Sequence, residues 1–464
     1  MKENKCDILI RNTRILTETM GIRSHVDIAI QDGTILSITE SGSRDSHSGM
    51  PDGTSAEAAE TLEAAEIIDG SHLLWMPGLT DGHMHTCQQL LRGKILDALP
   101  MIWTRIMLPF ESTLTPEAVS LSAQLCALEM LRGGTTSFID AGGIHMDEAA
   151  EVYITSGLRG ALTLSTMDDT KVPPSMRADA ADCVHALNSF YNTWNGTGDG
   201  RLSVYYSLRS LISCSEELIC GVFDAAKERG AMVEAHMNEY PNEVNYHLER
   251  YQLRPMEYLE KLGVLSDRFI SAHSILMSEH EIEIMADHHI KAVHCPFSNC
   301  GKGVPKTPRL LENGISVAFG TDGTAHGGMS LFQEMKIFRS IMNIRYGVAD
   351  SNPVIMPAET ILDMAVRGGS ACLSMEDSLG KLKEGFHADL IAIDLDQPHL
   401  YPTNNLVHTL VESVSSQDVI HSIVDGKLLM KNREILTLDE EKIRFEANAF
   451  LTKNHIMEDE TCYR

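Results

Sequence analysis

Residues 72–85 read HLLWMPGLTDGHMH: an apolar run that passes Pro-Gly and Asp-Gly turn signals and ends with two histidines two positions apart. In extended backbone, residues i and i+2 project to the same face, so the His83 and His85 imidazoles share one side of one strand end. A packed strand has no use for two titratable rings there, and the question becomes what the other strands end in. Seven further apolar runs of strand length follow: GTTSFIDAGG (134–143), RGALTLSTMD (159–168), RLSVYYSLRS (201–210), GAMVEAHMNE (230–239), RFISAHS (268–274), KAVHCPFSN (291–299) and ISVAFGTDG (315–323). Helix-length amphipathic stretches such as SEHEIEIMADHH (278–289) lie between several of them. Strand and helix alternating eight times predict an α/β protein built on a (β/α)₈ TIM-like barrel over residues 76–374.

Both ends of the chain read differently. Residues 6–39 carry short alternating runs, with the Asp32-Gly33 turn between two of them, and predict a hairpin-rich sheet. Residues 41–64 are mostly Ser, Gly, Asp, Ala and Glu and predict an exposed insertion. After residue 374 short β-like runs return in 377–395 and 418–436, too few to stand alone as a sheet. Residues 1–75 and 375–464 are therefore expected to meet in one composite β-sandwich beside the barrel.

Composition removes several classes of function. With 38 Lys+Arg against 65 Asp+Glu the formal charge is −27, which leaves no basic face for a nucleic acid. No run of about 18 apolar residues exists to span a membrane. The ten cysteines are scattered without a C-x-x-C pair, the usage expected of a reducing, cytoplasmic compartment.

In a (β/α)₈ barrel the C-terminal strand ends converge on one mouth, where active sites are built. His236 closes the fifth predicted strand and Asp322 the eighth, so His83, His85, His236 and Asp322 offer three nitrogens and a carboxylate to one divalent ion. That set suits Zn²⁺, and Fe²⁺ or Mn²⁺ less selectively. Glu239 stands just past the fifth strand end and His273 closes the sixth, both placed to face the same mouth. Zn²⁺ lowers the pKa of bound water toward about 7, which makes hydrolysis the natural chemistry. His145, His247 and His408 have no such setting and read as satisfied or solvent-facing rings.

The runs MPGLTDGHMHTCQQLLRG (76–93), EAHMNE (234–239), SAHS (271–274), HCPFSN (294–299) and GTDG (320–323), in this order, resemble the amidohydrolase superfamily, within it the triazine hydrolase and cyclic-amidine deaminase branch. The resemblance implies a mononuclear site, because the fourth strand lacks the lysine that bridges two metals in other members. It also implies roles: Asp322 takes a proton from the attacking water, His273 steadies the oxygen, and Glu239 protonates the ring nitrogen beside the carbon under attack. By the same resemblance Trp103 belongs to an aromatic lid, a core tryptophan being the alternative, and Arg209 with Gln88 reads a polar edge of the base. After GTDG the chain departs from many relatives with TAHGGMSLFQEM, which puts His326 near the mouth. The expected activity is metal-dependent hydrolytic deamination of a purine, pterin, pyrimidine or related cyclic amidine, with release of ammonia. The alternative is the same fold acting on a triazine chloride, an alkylamine or a ring amide. A catalytically silent binding protein would not need every one of these groups. The partner is then a small heterocycle, and relatives of this size imply a homo-oligomer.

Overall fold

The computed structural model describes residues 5–42, 63–95, 98 and 102–453, so most of the expected insertion at 41–64 lies outside the described residues. Strands β1 (Lys5–Leu16), β2 (Ile22–Gln31) and β3 (Thr34–Glu40) form an antiparallel meander. The turn from β2 to β3 uses Asp32 and Gly33 with φ of 49° and 79°, the left-handed pair that matches the twist of a tight hairpin. Alternate residues Ile8, Ile10, Ile28 and Ile30 are buried on its inner side. Strands β4 (Glu63–Asp69) and β5 (Leu73–Pro77) then pair with β1 in parallel.

The run expected to form one strand from residue 72 is split at Gly78 into β5 and β6 (Leu79–His85), which belong to different sheets. Gly78 N donates to Asp389 O, and Leu79 N donates to Gly134 O, so the chain changes partner within one residue. A Cβ on Gly78 would sit 2.0 Å from Thr136 Oγ1, and no side chain fits at the crossing. Gly78→Ala is expected to cost about 1–3 kcal/mol through overpacking, read as a lower onset of thermal unfolding. An unchanged onset would mean that Thr136 swings aside freely.

Strands β7 (Thr135–Asp140), β8 (Arg159–Leu162), β9 (Leu202–Val204) and β10 (Tyr206–Ser210) follow, then β11 (Val233–Met237), β12 (Phe269–His273), β13 (Lys291–His294), β14 (Val317–Phe319) and β15 (Asp322–Gly323). They make two five-stranded parallel sheets, ordered β15-β6-β7-β8-β9 and β10-β11-β12-β13-β14. The edge of one sheet continues into the other along the chain, across Tyr205 on one side and Gly320-Thr321 on the other. Strands β6, β7 and β11 are buried along their whole length, as parallel strands covered by helices must be. The helix Glu279–Asp287 covers part of this core, and Ser278 and Glu281 cap it reciprocally through each other's backbone N–H.

The C-terminal strands β16 (Leu390–Asp394), β17 (Val419–Val424), β18 (Lys427–Lys431) and β19 (Glu434–Ile435) join the N-terminal ones. β16 pairs with β5, giving one nine-stranded sheet in which β19-β18-β17-β16-β5-β1-β2-β3 are neighbours and β4 flanks β1. The two chain ends thus meet through hydrogen bonds. The buried Arg159 at the start of β8 is bidentate to Asp389, 2.7 and 3.2 Å, and reaches Asp425 at 3.2 Å, which ties this sheet to the parallel ones. The fold is mixed α/β. No described helix is long and apolar enough to cross a membrane.

Candidate metal centre and active site

His83 and His85 leave the end of β6 on the same side, as their spacing requires, and meet His236 from β11 and Asp322 from β15. His85 Nε2 lies 3.1 Å from His236 Nε2, and Asp322 Oδ1 lies 3.5 Å from His85 Nε2 and 3.8 Å from His83 Nε2. One ligand atom from each of the four falls within 4.8 Å of the others, so this group could hold a metal ion. His83 Nε2 is completely buried and has no hydrogen-bond partner. An orphaned ring nitrogen aimed at two other imidazoles and a carboxylate fits a divalent cation rather than a hydrogen-bond network.

A second layer fixes these groups. His83 Nδ1 is 2.5 Å from Glu234 Oε1, and Glu234 lies two residues before His236 on the same face of β11. Burial works against a charge on His83, but Glu234 outweighs it and the ring's pKa is raised. Burial first, and then neighbouring positive groups, hold His85 and His236 well below the ordinary value, so both rings keep a free lone pair for a metal. Asp81 accepts from Thr321 N at 3.0 Å and Thr321 Oγ1 at 2.5 Å, which locks β6 to the turn before Asp322. Burial pushes the Asp81 carboxyl up to about 7. Asp140 accepts from Thr86 and from Gly142 N, and so pins the segment that follows His85. Asp322 and His273 have φ of 59° and 70°, left-handed values that non-glycine residues hold only where surroundings over-determine them. Glu234→Gln is expected to weaken metal affinity about 10–100-fold, measured by competition with a chelator. Affinity equal to the parent would show that Glu234 does not orient His83.

Glu239 and His273 stand on the same wall as Asp322, with one ligand atom of each within 4.8 Å of the others. His273 Nε2 is 3.7 Å from Glu239 Oε1, and His273 Nδ1 is 3.1 Å from Asn299 Oδ1. Burial lowers the His273 pKa to about 4, so the ring is neutral. Lys302, which the sequence reading did not single out, places Nζ 2.5 Å from Glu239 Oε1, 2.7 Å from Ser298 Oγ and 3.5 Å from Asp322 Oδ2. Burial would raise the Glu239 pKa, but its neighbours His273 and Lys302, the latter a buried ammonium, outweigh it and the net shift is downward. Asp322 lies well below the carboxylate range: burial raises it, and Lys302 leads the groups that lower it.

A cavity opens over this wall. Gln88, Trp103, Arg209 and His326 all line it, together with His85 and Glu239. Beneath them lies Glu111, a second group absent from the sequence reading and fully buried. Arg209 donates to both Glu111 oxygens, at 3.0 and 3.2 Å, and Gln88 Nε2 donates to Oε1 at 2.8 Å. Gln88 Oε1 and Trp103 Nε1 are buried without a partner. His247 Nδ1 bonds its own helix through Glu243 O while its buried Nε2 has no partner, and His145 and His408 stand outside both clusters.

The family model described as "Amidohydrolase family" matches residues 74–429. The chain belongs to the amidohydrolase family. It is 32% identical over 447 residues to a 5-methylthioadenosine/S-adenosylhomocysteine deaminase of Pelotomaculum thermopropionicum, covering 95% of this chain and 97% of that one. It is 32% identical over 450 residues to a 5′-deoxyadenosine deaminase of Methanosarcina acetivorans, covering 95% and 96%. Among solved structures, an adenosine deaminase from Xanthomonas campestris with bound zinc superposes with a TM-score of 0.87 at 24% identity, over 97% of this chain and 99% of that one. That likeness shows the fold, of the TIM-barrel type, and the family together with the donor set supports a divalent metal.

Proposed function

We propose that this amidohydrolase replaces the exocyclic amine of a purine by oxygen, on a nucleoside of the 5′-deoxy or 5′-thioether adenosine class, and releases ammonia. The enzyme is a hydrolase of C–N bonds in cyclic amidines; the purine nucleoside is the finer reading, supported by the deaminases similar to it along nearly their whole length. The observation that carries it is a four-ligand group that shares Asp322 with a second group, Glu239 and His273, beside a cavity lined by His85, His236, Asp322 and Glu239.

His83, His85, His236 and Asp322 would hold the cation, for which zinc suits three imidazoles and a carboxylate best. When bound, it supplies a solvent nucleophile of lowered pKa beside the substrate. With Nδ1 donating to Asn299, His273 presents the Nε2 lone pair and accepts a hydrogen from that solvent molecule, which orients it. Glu239 is ionised beside Lys302, so it first accepts the solvent proton and then delivers it to the ring nitrogen next to the carbon under attack. Protonation makes the amidine carbon electrophilic. Asp322 carries the second proton to the amine as the C–N bond breaks, so water and amidine become oxo product and ammonia with no proton unaccounted for. Trp103 covers the flat base, and His326 bounds the cavity on the side of β15.

A second reading rests on Arg209. Its guanidinium, neutralised by Glu111 and flanked by the unpartnered Gln88 Oε1, suits a base that offers an oxo acceptor beside an N–H donor. Ammonia release from 5′-methylthioadenosine, 5′-deoxyadenosine, guanine, an aminotriazine and a chlorotriazine decides between them. Fastest release from the two nucleosides is expected. Guanine as the sole substrate would support the second reading, and chloride without ammonia would move the activity to the alternative leaving group.

The two parallel sheets serve this chemistry best as halves of one (β/α)₈ barrel over residues 76–374, because that closure brings β6, β11 and β15 to a common mouth. We take the nine-stranded sheet to fold over its shared apolar interior, around Ile28, Trp75, Leu390 and Ile423, as the composite sandwich of residues 1–75 and 375–464. A cytoplasmic homo-oligomer is the form in which the enzyme would work.

A further inference from the structure

Most charged side chains buried beside the cavity have an evident task, but Lys302 has none in the reaction as written. It comes from the loop after β13 and is 5% exposed, which for a lysine demands full compensation. Its three N–H donors meet Glu239 Oε1 at 2.5 Å, Ser298 Oγ at 2.7 Å and, at 3.5 Å, Asp322 Oδ2; Ser298 Oγ in turn donates to Asp322 Oδ2 at 2.5 Å. The ammonium also stands 5.3 Å from the centre of the Tyr240 ring, a cation–π distance, and Tyr240 directly follows Glu239. Every donor of Lys302 is thus used on protein, and none is left for a substrate.

Glu239 is otherwise poorly held. Its backbone N–H is fixed by Glu243 Oε2 at 2.9 Å, but among the described residues the positively charged or ring partners of its carboxylate are His273, at 3.7 Å, and Lys302. A proton carrier must present one oxygen to solvent nucleophile and ring nitrogen in turn, and an error of about 1 Å in such a group costs about 100-fold. We propose that Lys302 is a positioning residue that holds Glu239 Oε1 and, with Ser298, sets the Glu239 carboxylate at a fixed distance from Asp322. This rests on the reading of Glu239 as the proton carrier.

Lys302→Met removes the donors and keeps the apolar stem. Lys302→Gln restores a hydrogen-bond donor without charge and guards against a methionine variant that fails to fold. Both are measured for kcat, KM and metal per chain, beside Glu239→Gln, on 5′-methylthioadenosine or whichever panel member the parent turns over fastest. The expected result is kcat lowered about 100-fold in Lys302→Met, with KM within about threefold of the parent, one metal per chain, and partial recovery of kcat in Lys302→Gln. Three results would overturn it: kcat near the parent's in Lys302→Met, loss of metal together with loss of rate, or a raised KM at unchanged kcat. If Glu239→Gln is itself fully active, or the parent releases no ammonia from the panel, the reading of Glu239 has failed first. If Glu239→Gln is inactive while Lys302→Met is not, only the role of Lys302 falls.

Discussion

His236→Ala is expected to lose bound metal and turnover together. His236 supplies one of four donor atoms gathered within 4.8 Å, and it is the donor that reaches the cluster from β11, across from the β6 pair. Zinc sites with a full protein ligand set bind with about 10–16 kcal/mol, so removing one ligand of four takes away roughly 3–4 kcal/mol, a factor of several hundred in affinity. The imidazole leaves a void lined by His83, His85 and His273, whose ring centres lie 4.7, 5.1 and 5.2 Å from its own, and water fills it readily. Metal per chain after gel filtration with a weak chelator should fall from about one to near zero, and ammonia release with it, while the circular dichroism spectrum stays that of the parent. A variant that keeps both metal and turnover would break the four-ligand centre. One that keeps metal but loses turnover would make His236 a proton-transfer group instead.

The gathering of His83, His85, His236 and Asp322 was legible because these residues carry their own signal. Two histidines in alternation, and a histidine or aspartate where an apolar run stops, are residue types that strand ends do not need for packing. The sheet pairing explains why they converge: Asp322 pairs with Met84, between the two histidines of β6, and Met237, next to His236, pairs with His273. The groups behind them were less legible. Glu234 did leave a trace, since a glutamate inside the buried VEAH run, in phase with His236, has to face the same interior. Lys302 and Glu111 left none. Each sits in a stretch of ordinary loop or lid composition, and only the folded chain shows that Lys302 meets Glu239 and that Glu111 meets Arg209. The division at Gly78 was hidden for another reason: apolar residues run on unbroken from β5 into β6, while the change of sheet is decided by Thr136, 58 positions away. Arg209 was read as a group that meets the substrate, and it does line the cavity, but its partner Glu111 removes most of its charge from the account of what binds there.

Glu239→Gln is expected to keep one metal per chain and lose about 10²–10⁴ in kcat, the range general acid–base groups contribute. Glu239 is outside the four-ligand group, and glutamine has nearly its shape, so Lys302 still finds an acceptor 2.5 Å away and the loop after β11 stays in place. What is lost is a site that takes a proton and gives it up. An amidine attacked without protonation of its ring nitrogen must develop a full negative charge there, and nothing at the Glu239 position then neutralises it. The same argument makes the loss indifferent to the leaving group. Asp322 serves the departing amine, whereas attack on the ring carbon needs the nitrogen proton whether amine or chloride is to leave, so a chlorinated analogue of a good substrate should lose a comparable factor on going from Glu to Gln. A much smaller loss for the chloride would place the Glu239 proton at the amine instead, and no loss for the amine would remove Glu239 from the proton path.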